Sequence, residues 1–331
     1  MKKKITYTLL FVLATNCLIA QDFHLSQYES AEMYLNPAFA GQNMRPDMDF
    51  RASTVYRSQW GSMASKSFST TYLGYDQKFK ERWGLGANLI NNQAGASTFR
   101  TFNFMLAGSY NIINGSDKKH ILTTGLQLGL MNKSINDAGL TFDQQYSSAT
   151  GDFDQSAFSG ENFLNTSIYK FDAAWGIFYK FNPIGKTYHP FIGFAFSHIS
   201  LPSQNFSTDK SVMPMHWKVN IGTDWDINEK FTINPGILYM YQKGASEIII
   251  KTNCIYKLAN KDYDIRANLG YRINDAAIVG VGMRYKDFIG QMSYDYNTSY
   301  LQNYTGGRGG FELTISYQGA FKNIMKAPSL I

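Results

Sequence analysis

From about Asp49 to the C-terminus, apolar and polar residues alternate with a period of two. That spacing puts successive side chains on opposite faces of a β-strand. Phe311, Leu313, Ile315 and Tyr317 alternate with Glu312, Thr314, Ser316 and Gln318. Trp217, Val219 and Ile221 are set against Lys218 and Asn220, and Tyr263, Ile265, Ala267, Leu269 and Tyr271 against Asp264, Arg266, Asn268, Gly270 and Arg272. Phe171, Ala173, Trp175, Ile177, Tyr179 and Phe181 keep the same rhythm, with Phe178 out of phase. Fourteen such segments are predicted, near 48–60, 66–78, 83–93, 98–112, 119–133, 169–182, 187–199, 213–226, 230–243, 247–258, 262–273, 276–286, 288–298 and 309–319. Strands of a soluble sandwich are about half this length, and their polar faces are rich in Lys and Glu. An even number of long strands, with Tyr, Trp and Phe near the strand ends, predicts an all-β fold: a transmembrane antiparallel up-and-down β-barrel of about 14 strands.

Loop lengths test this count. The long connections, near 134–168, 200–212 and 299–308, follow the fifth, seventh and thirteenth segments, so all three fall at one end of the barrel. With the N-terminus in the periplasm that end is extracellular, where barrels carry their long loops. Short turn sequences such as Asn182-Pro183-Ile184-Gly185 and Asn228-Glu229 follow even-numbered segments.

Composition agrees. Of the 331 residues, 15% are aromatic and 17% charged, against roughly 25% charged in ordinary soluble domains. After the first segment, no apolar run approaches the 18 or so residues of a spanning helix. Residues 1–20 read as a secretory signal, basic at Lys2, Lys3 and Lys4 and apolar from Ile5 to Ile19, with a cut expected after Ala20 and a lipoprotein cut before Cys17 as the rival. Residues 21–47 would then form an N-terminal periplasmic or plug segment, and 48–331 the barrel. Loss of the three lysines takes the formal charge from +6 to about +3, which removes any case for nucleic-acid binding. Cys254 alone would remain, too few for a disulfide or a multi-cysteine zinc site, and the expected location is the outer membrane of a Gram-negative bacterium.

Ahead of the first strand, Asn36-Pro37 and Gly41 form a turn cluster around the apolar Leu35, Ala38, Phe39 and Ala40. This stretch, with Ser26-Gln27-Tyr28 before it, resembles the opening of the PorP/SprF family of type IX secretion and gliding-motility proteins. Tyr56-Arg57-Ser58-Gln59-Trp60 resembles that family's first-strand ending, and Trp83-Gly84-Leu85-Gly86 a strand start. Phe171-Asp172 with Trp175-Gly176, then Ser197-His198 with Pro202 and Phe206, and Tyr294-Asp295-Tyr296 with Gly306-Gly307 continue the likeness in order. The tail Lys322-Asn323-Ile324-Met325-Lys326 departs from it by running past Tyr317.

The resemblance implies a non-enzymatic envelope component that supports export or surface anchoring of cargo such as adhesins. Its implied partners are the C-terminal domain of a secreted type IX cargo, periplasmic components of the machine, and the outer-membrane bilayer. Candidate partner-binding or structural positions are Asn36, Pro37, Ala38, Phe39 and Gly41; Arg57, Gln59 and Trp60, which also read as a structural cluster at the rim; and, in the long loops, Phe142, Asp143, Tyr304, Gly306 and Gly307. Segment 26–41 reads equally as a plug filling the lumen and as a partner-docking element.

Little supports catalysis. The five histidines stand outside metal-binding spacings, the acidic residues of the 134–168 loop lack the order of a calcium loop, and the glycine pairs lack a strand-to-helix context. No catalytic residue, metal or cofactor is expected. His198 with Ser200 is the one tempting pair, and a structural role at the start of a loop is the better reading. A passive solute channel lined by Lys170, Asp172, Lys218, Asp224, Arg266 and Arg272 is the alternative function.

Overall fold

A computed structural model describes residues 22–61, 68–94, 99–114, 119–135, 141–154, 156–158, 160, 166–206, 211–300 and 302–321. The expected signal at 1–20 and the tail 322–326 lie outside the described residues. Fourteen antiparallel strands close into a barrel: β1 Phe50–Gln59, β2 Phe68–Phe79, β3 Trp83–Ala94, β4 Phe99–Asn114, β5 His120–Ser134, β6 Ser167–Phe181, β7 Tyr188–Ser197, β8 His216–Asp226, β9 Phe231–Gln242, β10 Ala245–Lys257, β11 Tyr263–Arg272, β12 Ala276–Tyr285, β13 Phe288–Asn297 and β14 Arg308–Gly319. Each pairs with its sequence neighbours, and β1 closes on β14 from Phe50↔Gly319 to Gln59↔Gly310. No helix among the described residues is long and apolar enough to span a membrane, so the crossing is made by strands whose backbone groups are satisfied by pairing.

The alternation sorts side chains as the sequence predicts. On β8, Trp217 and Ile221 are about half exposed on the outer wall, while Lys218 and Asn220 are buried inside. Outward aromatics meet across strands near both ends. Trp175, Phe196, Trp217 and Tyr241 form a chain of ring contacts near the long-loop end, and Trp83–Tyr110, Tyr263–Tyr285 and Phe288–Tyr317 do so at the other. Trp217 and Trp225 are eight residues apart, about 26 Å of strand, which suits the roughly 25 Å apolar band of such barrels.

Two features were not legible beforehand. A small hairpin, Tyr146–Ser147 with Asp152–Phe153, sits inside the first long loop. β7 stops at Ser197, so β6 and β7 pair over six residues, Trp175↔Phe196 to Lys180↔Phe191, whereas every other seam pairs nine or more. The lumen is filled.

Candidate functional site

Residues 22–42 thread the barrel. Asp22 lies at the long-loop end, beside His198, His216 and Gln242, and Gly41 lies at the short-turn end, beside Asp76. The segment never runs long enough in one conformation to make a helix of its own. A 3₁₀ turn at Tyr28–Ser30, one α turn at Glu32–Leu35 and a 3₁₀ turn at Pro37–Phe39 follow in succession. Asn36 joins the last two: its Oδ1 accepts from the Ala38 amide at 2.9 Å, and its Nδ2 donates to the carbonyls of Ile177 at 3.1 Å and Phe194 at 3.2 Å. Pro37 sits at the first position of its turn, where its missing N–H and fixed φ cost nothing.

Close approach to the wall explains the glycines around this motif. A Cβ on Gly84 would stand 1.9 Å from the Ala40 carbonyl oxygen, and one on Gly125 would stand 2.3 Å from that of Pro37. Gly41 itself has φ +64°, and its amide donates to Asp76 Oδ2 at 2.7 Å. Beside the motif an apolar core forms where a channel would hold water. Leu25, Tyr28, Ala31, Leu35, Ala38 and Phe39 of the segment pack on inward-facing Val55, Tyr72, Ile90, Phe178, Leu238, Met240, Ile249 and Ile278 of the wall. Each large apolar side chain so buried contributes about 1.5–3 kcal/mol. Phe178, out of phase in its strand, meets Phe39 edge-on at 4.7 Å.

Charged groups hold the rest. Glu312, fully buried, accepts from the backbone amides of Ser26 at 2.9 Å and Gln27 at 2.7 Å and from Arg57 Nη1 at 3.0 Å. Asp295 accepts from Arg57 at 2.8 Å, Arg272 at 2.9 Å and the Ser26 hydroxyl at 2.7 Å. Lys218 Nζ donates to the Tyr34 carbonyl at 2.6 Å and lies 3.5 Å from the centre of its ring. Lys251 donates to the Ser26 carbonyl at 2.8 Å, and Arg51 bridges Asp76 to Glu32 of the segment. Such charges are tolerable away from water only because each is hydrogen-bonded and, except for Lys218, ion-paired.

At the long-loop end, His198 joins the segment to the wall. One ring nitrogen lies 2.9 Å from Asp22 and the other 2.7 Å from Asp172. Burial alone would lower the His198 pKa, but the Asp22 and Asp172 carboxylates outweigh it and lift it to about 9. Burial would likewise raise Asp22, and His198 pulls it well below the usual carboxylate range. A histidine raised from 6.5 stabilises this contact fully below about pH 6.5 and loses that contribution as pH rises through about 9. The lowered Asp22 contributes above its ordinary pKa and fails only in acid. A cysteine-reactive probe on Asp22→Cys would remove the contact, so the check is hydrogen exchange of the 22–26 amides in the unaltered protein. Exchange should quicken between pH 8 and 10 beyond the intrinsic base catalysis seen in the barrel strands. In the His198→Gln protein this extra quickening should vanish.

A cavity of about 310 Å³ remains beneath the segment, toward the short-turn end, lined among others by Glu29, Lys180, Asp224, Lys251, Asn253 and Arg266.

The model of one family, the type IX secretion system membrane protein PorP/SprF, matches residues 18–317. The chain belongs to the PorP/SprF family. It is therefore an outer-membrane β-barrel component of the type IX secretion system, and its family and fold are those of a membrane barrel component or channel, not those of an enzyme family. No curated protein matches the sequence. Among solved structures, the toluene transporter TbuX of Ralstonia pickettii is 11% identical with a TM-score of 0.53, over 88% of this chain and 94% of that one. The monoaromatic hydrocarbon channel CymD is 12% identical with a TM-score of 0.51, over 92% and 95%. At such identity these likenesses establish the barrel fold alone.

In this PorP/SprF barrel the sequence-predicted positions separate into two groups. Asn36, Pro37, Ala38, Phe39 and Gly41 lie together inside the lumen, all buried, so the motif offers no surface at either end of the barrel. Arg57 belongs with them. It is not part of a rim cluster: burial to 2% exposure and bonds to Ser26, Asp295 and Glu312 make it a lumenal anchor, with Gln59 accepting from its Nε at 2.8 Å. Trp60 alone sits at the rim, past the strand end, edge-on to Phe68. Phe142 and Asp143 start a 3₁₀ turn in the first long loop. Tyr304 is exposed and touches Tyr300, while Gly306 and Gly307 make a positive-φ turn into β14. His198 and Ser200 both reach Asp172 and not each other, leaving no nucleophile–base pair. Sequence reasoning missed Glu312, Asp295, Arg272, Lys218 and Phe178 as partners of the segment. The available signal was apolar residues, Val55 and Phe178 among them, on otherwise polar strand faces.

Proposed function

We propose that this barrel is a closed scaffold, not a conduit: it holds secreted type IX cargo at its long-loop end and touches periplasmic machine proteins at its short-turn end, and so supports display of cargo at the cell surface. The observation that carries this reading is the threaded segment, which fills the lumen with an apolar core and paired charges. Most channel-lining candidates are spent on it or on neighbouring side chains of the wall. Lys218, Asp172 and Arg272 belong to its socket, Asp224 pairs with Lys180, and Arg266 with Asp264. The long loops supply what a scaffold needs and a pore does not, namely aromatic residues such as Phe158, Tyr300 and Tyr304 held out in solvent at one end.

The test is to shorten the loop between Ser134 and Ser167, keeping both strand ends, in cells that carry an intact secretion machine. The barrel should retain heat-modifiable gel mobility, and cargo should be lost from the cell surface to the medium. Normal display by such cells would remove the scaffold role from this loop. The hydrocarbon channels of similar fold keep a solute pathway as the second reading, and conductance decides it.

A further inference from the structure

One carboxylate of the threaded segment stands between the two stems of the connection that joins β7 to β8. Ser197 at the end of β7 and His216 at the start of β8 are the last pair of their ladder. Beyond them the stems part, then meet again in a second, short ladder. There the Met213 amide donates to the Pro202 carbonyl at 2.8 Å, Ser203 bridges Val212, and the Gln204 amide donates to the Ser211 carbonyl at 2.8 Å. Among the described residues, no backbone bond joins 198–201 to 214–215.

Asp22 spans that gap. Its Oδ2 lies 2.9 Å from His198 Nε2 on the outgoing stem and 3.4 Å from His216 Nδ1 at the foot of the returning one. Gln242, at the end of β9, completes the joint. Its Oε1 accepts from the Asp22 amide at 2.8 Å, and its Nε2 donates to Asp22 Oδ2 at 3.2 Å and to the Pro214 carbonyl at 3.1 Å.

The outgoing stem requires such a holder. His198 and Leu201 have φ of 60° and 47°, a left-handed conformation that non-glycine residues keep only where surrounding contacts impose it. The Leu201 amide donates to the His198 carbonyl at 3.0 Å, so the turn is fixed through His198. That ring is gripped by Asp172 of the wall on one side and by Asp22 on the other, and half of the grip therefore belongs to the segment. Further out, Gln204 meets Lys133 and Phe206 packs edge-on against Phe99. Loss of Asp22 would thus free the stems from each other without detaching them from the barrel.

We propose that the stems 198–204 and 211–216 and the outer end of the threaded segment form one allosteric unit with Asp22 as its joint: the second ladder is stable only with Asp22 seated, and Asp22 stays seated only while the stems are paired. Whatever grips the paired stems from outside tightens the segment, and whatever draws them apart frees its outer end by the same factor. This goes beyond the scaffold reading and does not depend on what the loops hold.

The test is hydrogen exchange of the full-length barrel in detergent, read in both directions. Asp22→Ala should quicken exchange of the Gln204 and Met213 amides by roughly tenfold or more, while the amides of Val219 and Ile221 in β8 keep their protection. Unchanged Gln204 and Met213 amides would overturn the coupling, and so would equal quickening in β8, which would mean general loosening. The second protein leaves Asp22 in place and carries Ser203→Cys with Val212→Cys. These residues stand opposite each other with the ladder bonds on either side of them, the arrangement in which facing side chains come closest. Oxidation to the disulfide should slow exchange of the Asp22 amide by roughly fivefold or more, and reduction should restore it. Equal Asp22 exchange in the two redox states, with the disulfide verified, would show that the stems and the segment open independently and overturn the proposal.

Discussion

A barrel lacking residues 22–42 should conduct ions in a planar bilayer, while the intact chain should pass almost no current. The lumen of fourteen strands is wide enough to hold water once nothing else fills it, and the segment supplies the apolar half of the core that now occupies it. A subtler variant separates the plug from its mere presence in the chain. Gly125→Val puts a branched side chain where the Pro37 carbonyl lies 2.3 Å from an added Cβ. Gly125 faces inward, so the lipid surface is unchanged, and neither partner is a flexible side-chain end that could swing aside. The variant should raise conductance by roughly tenfold or more, toward that of the deletion. Equal current through the intact chain and the deletion would mean that ions find a way past the segment, and the closed-scaffold reading would give way to the channel.

Glu312→Ala is expected to be the most destabilising single change in the socket. The carboxylate is fully buried and accepts from two successive backbone amides of the segment and from Arg57. Its removal leaves the Ser26 and Gln27 amides without acceptors and a buried guanidinium with only Asp295 for a counter-charge. Breaking one side of a buried pair costs about 3–5 kcal/mol. The loss should be visible as a lower urea midpoint for segment release, read by protection of the 25–40 amides, before the barrel itself opens. Asp226→Ala is the control, because Asp226 and its partner Lys257 are each about half exposed at the rim and such pairs are worth about 1 kcal/mol or less. Equal midpoints for the two variants would show that the Glu312 network does not hold the segment.

Both expectations depend on contacts that strand periodicity does not report. Barrel strands are read locally, because a side chain two positions along faces the same medium, lipid or lumen, whatever the remote chain does. That is why the fourteen segments, the outward Trp217 and Ile221, the inward Lys218 and the grouping of long connections after β5, β7 and β13 were all legible in the sequence. The Leu35-to-Gly41 motif was legible as a unit for a similar reason: Asn36, Pro37 and Gly41 encode its turns within six residues. What its turns would press against was another matter. Ser26 meets Glu312 across 286 positions and Arg57 meets Asp295 across 238, so no local pattern ties them together. Arg57 looked like a rim residue only because Trp60, three positions on, lies there. The inward Phe178 was a visible irregularity whose cause, the ring of Phe39, arrives from another part of the chain. The shortness of the β6–β7 seam was hidden for a further reason: alternation continues through Tyr169 and Phe171 whether or not a neighbouring strand pairs with them. Side-chain pattern thus determined which way each strand faces, and only barrel closure decided which remote residues meet in the lumen and how long each seam pairs, because both depend on how far each neighbour extends and on what the closed wall encloses.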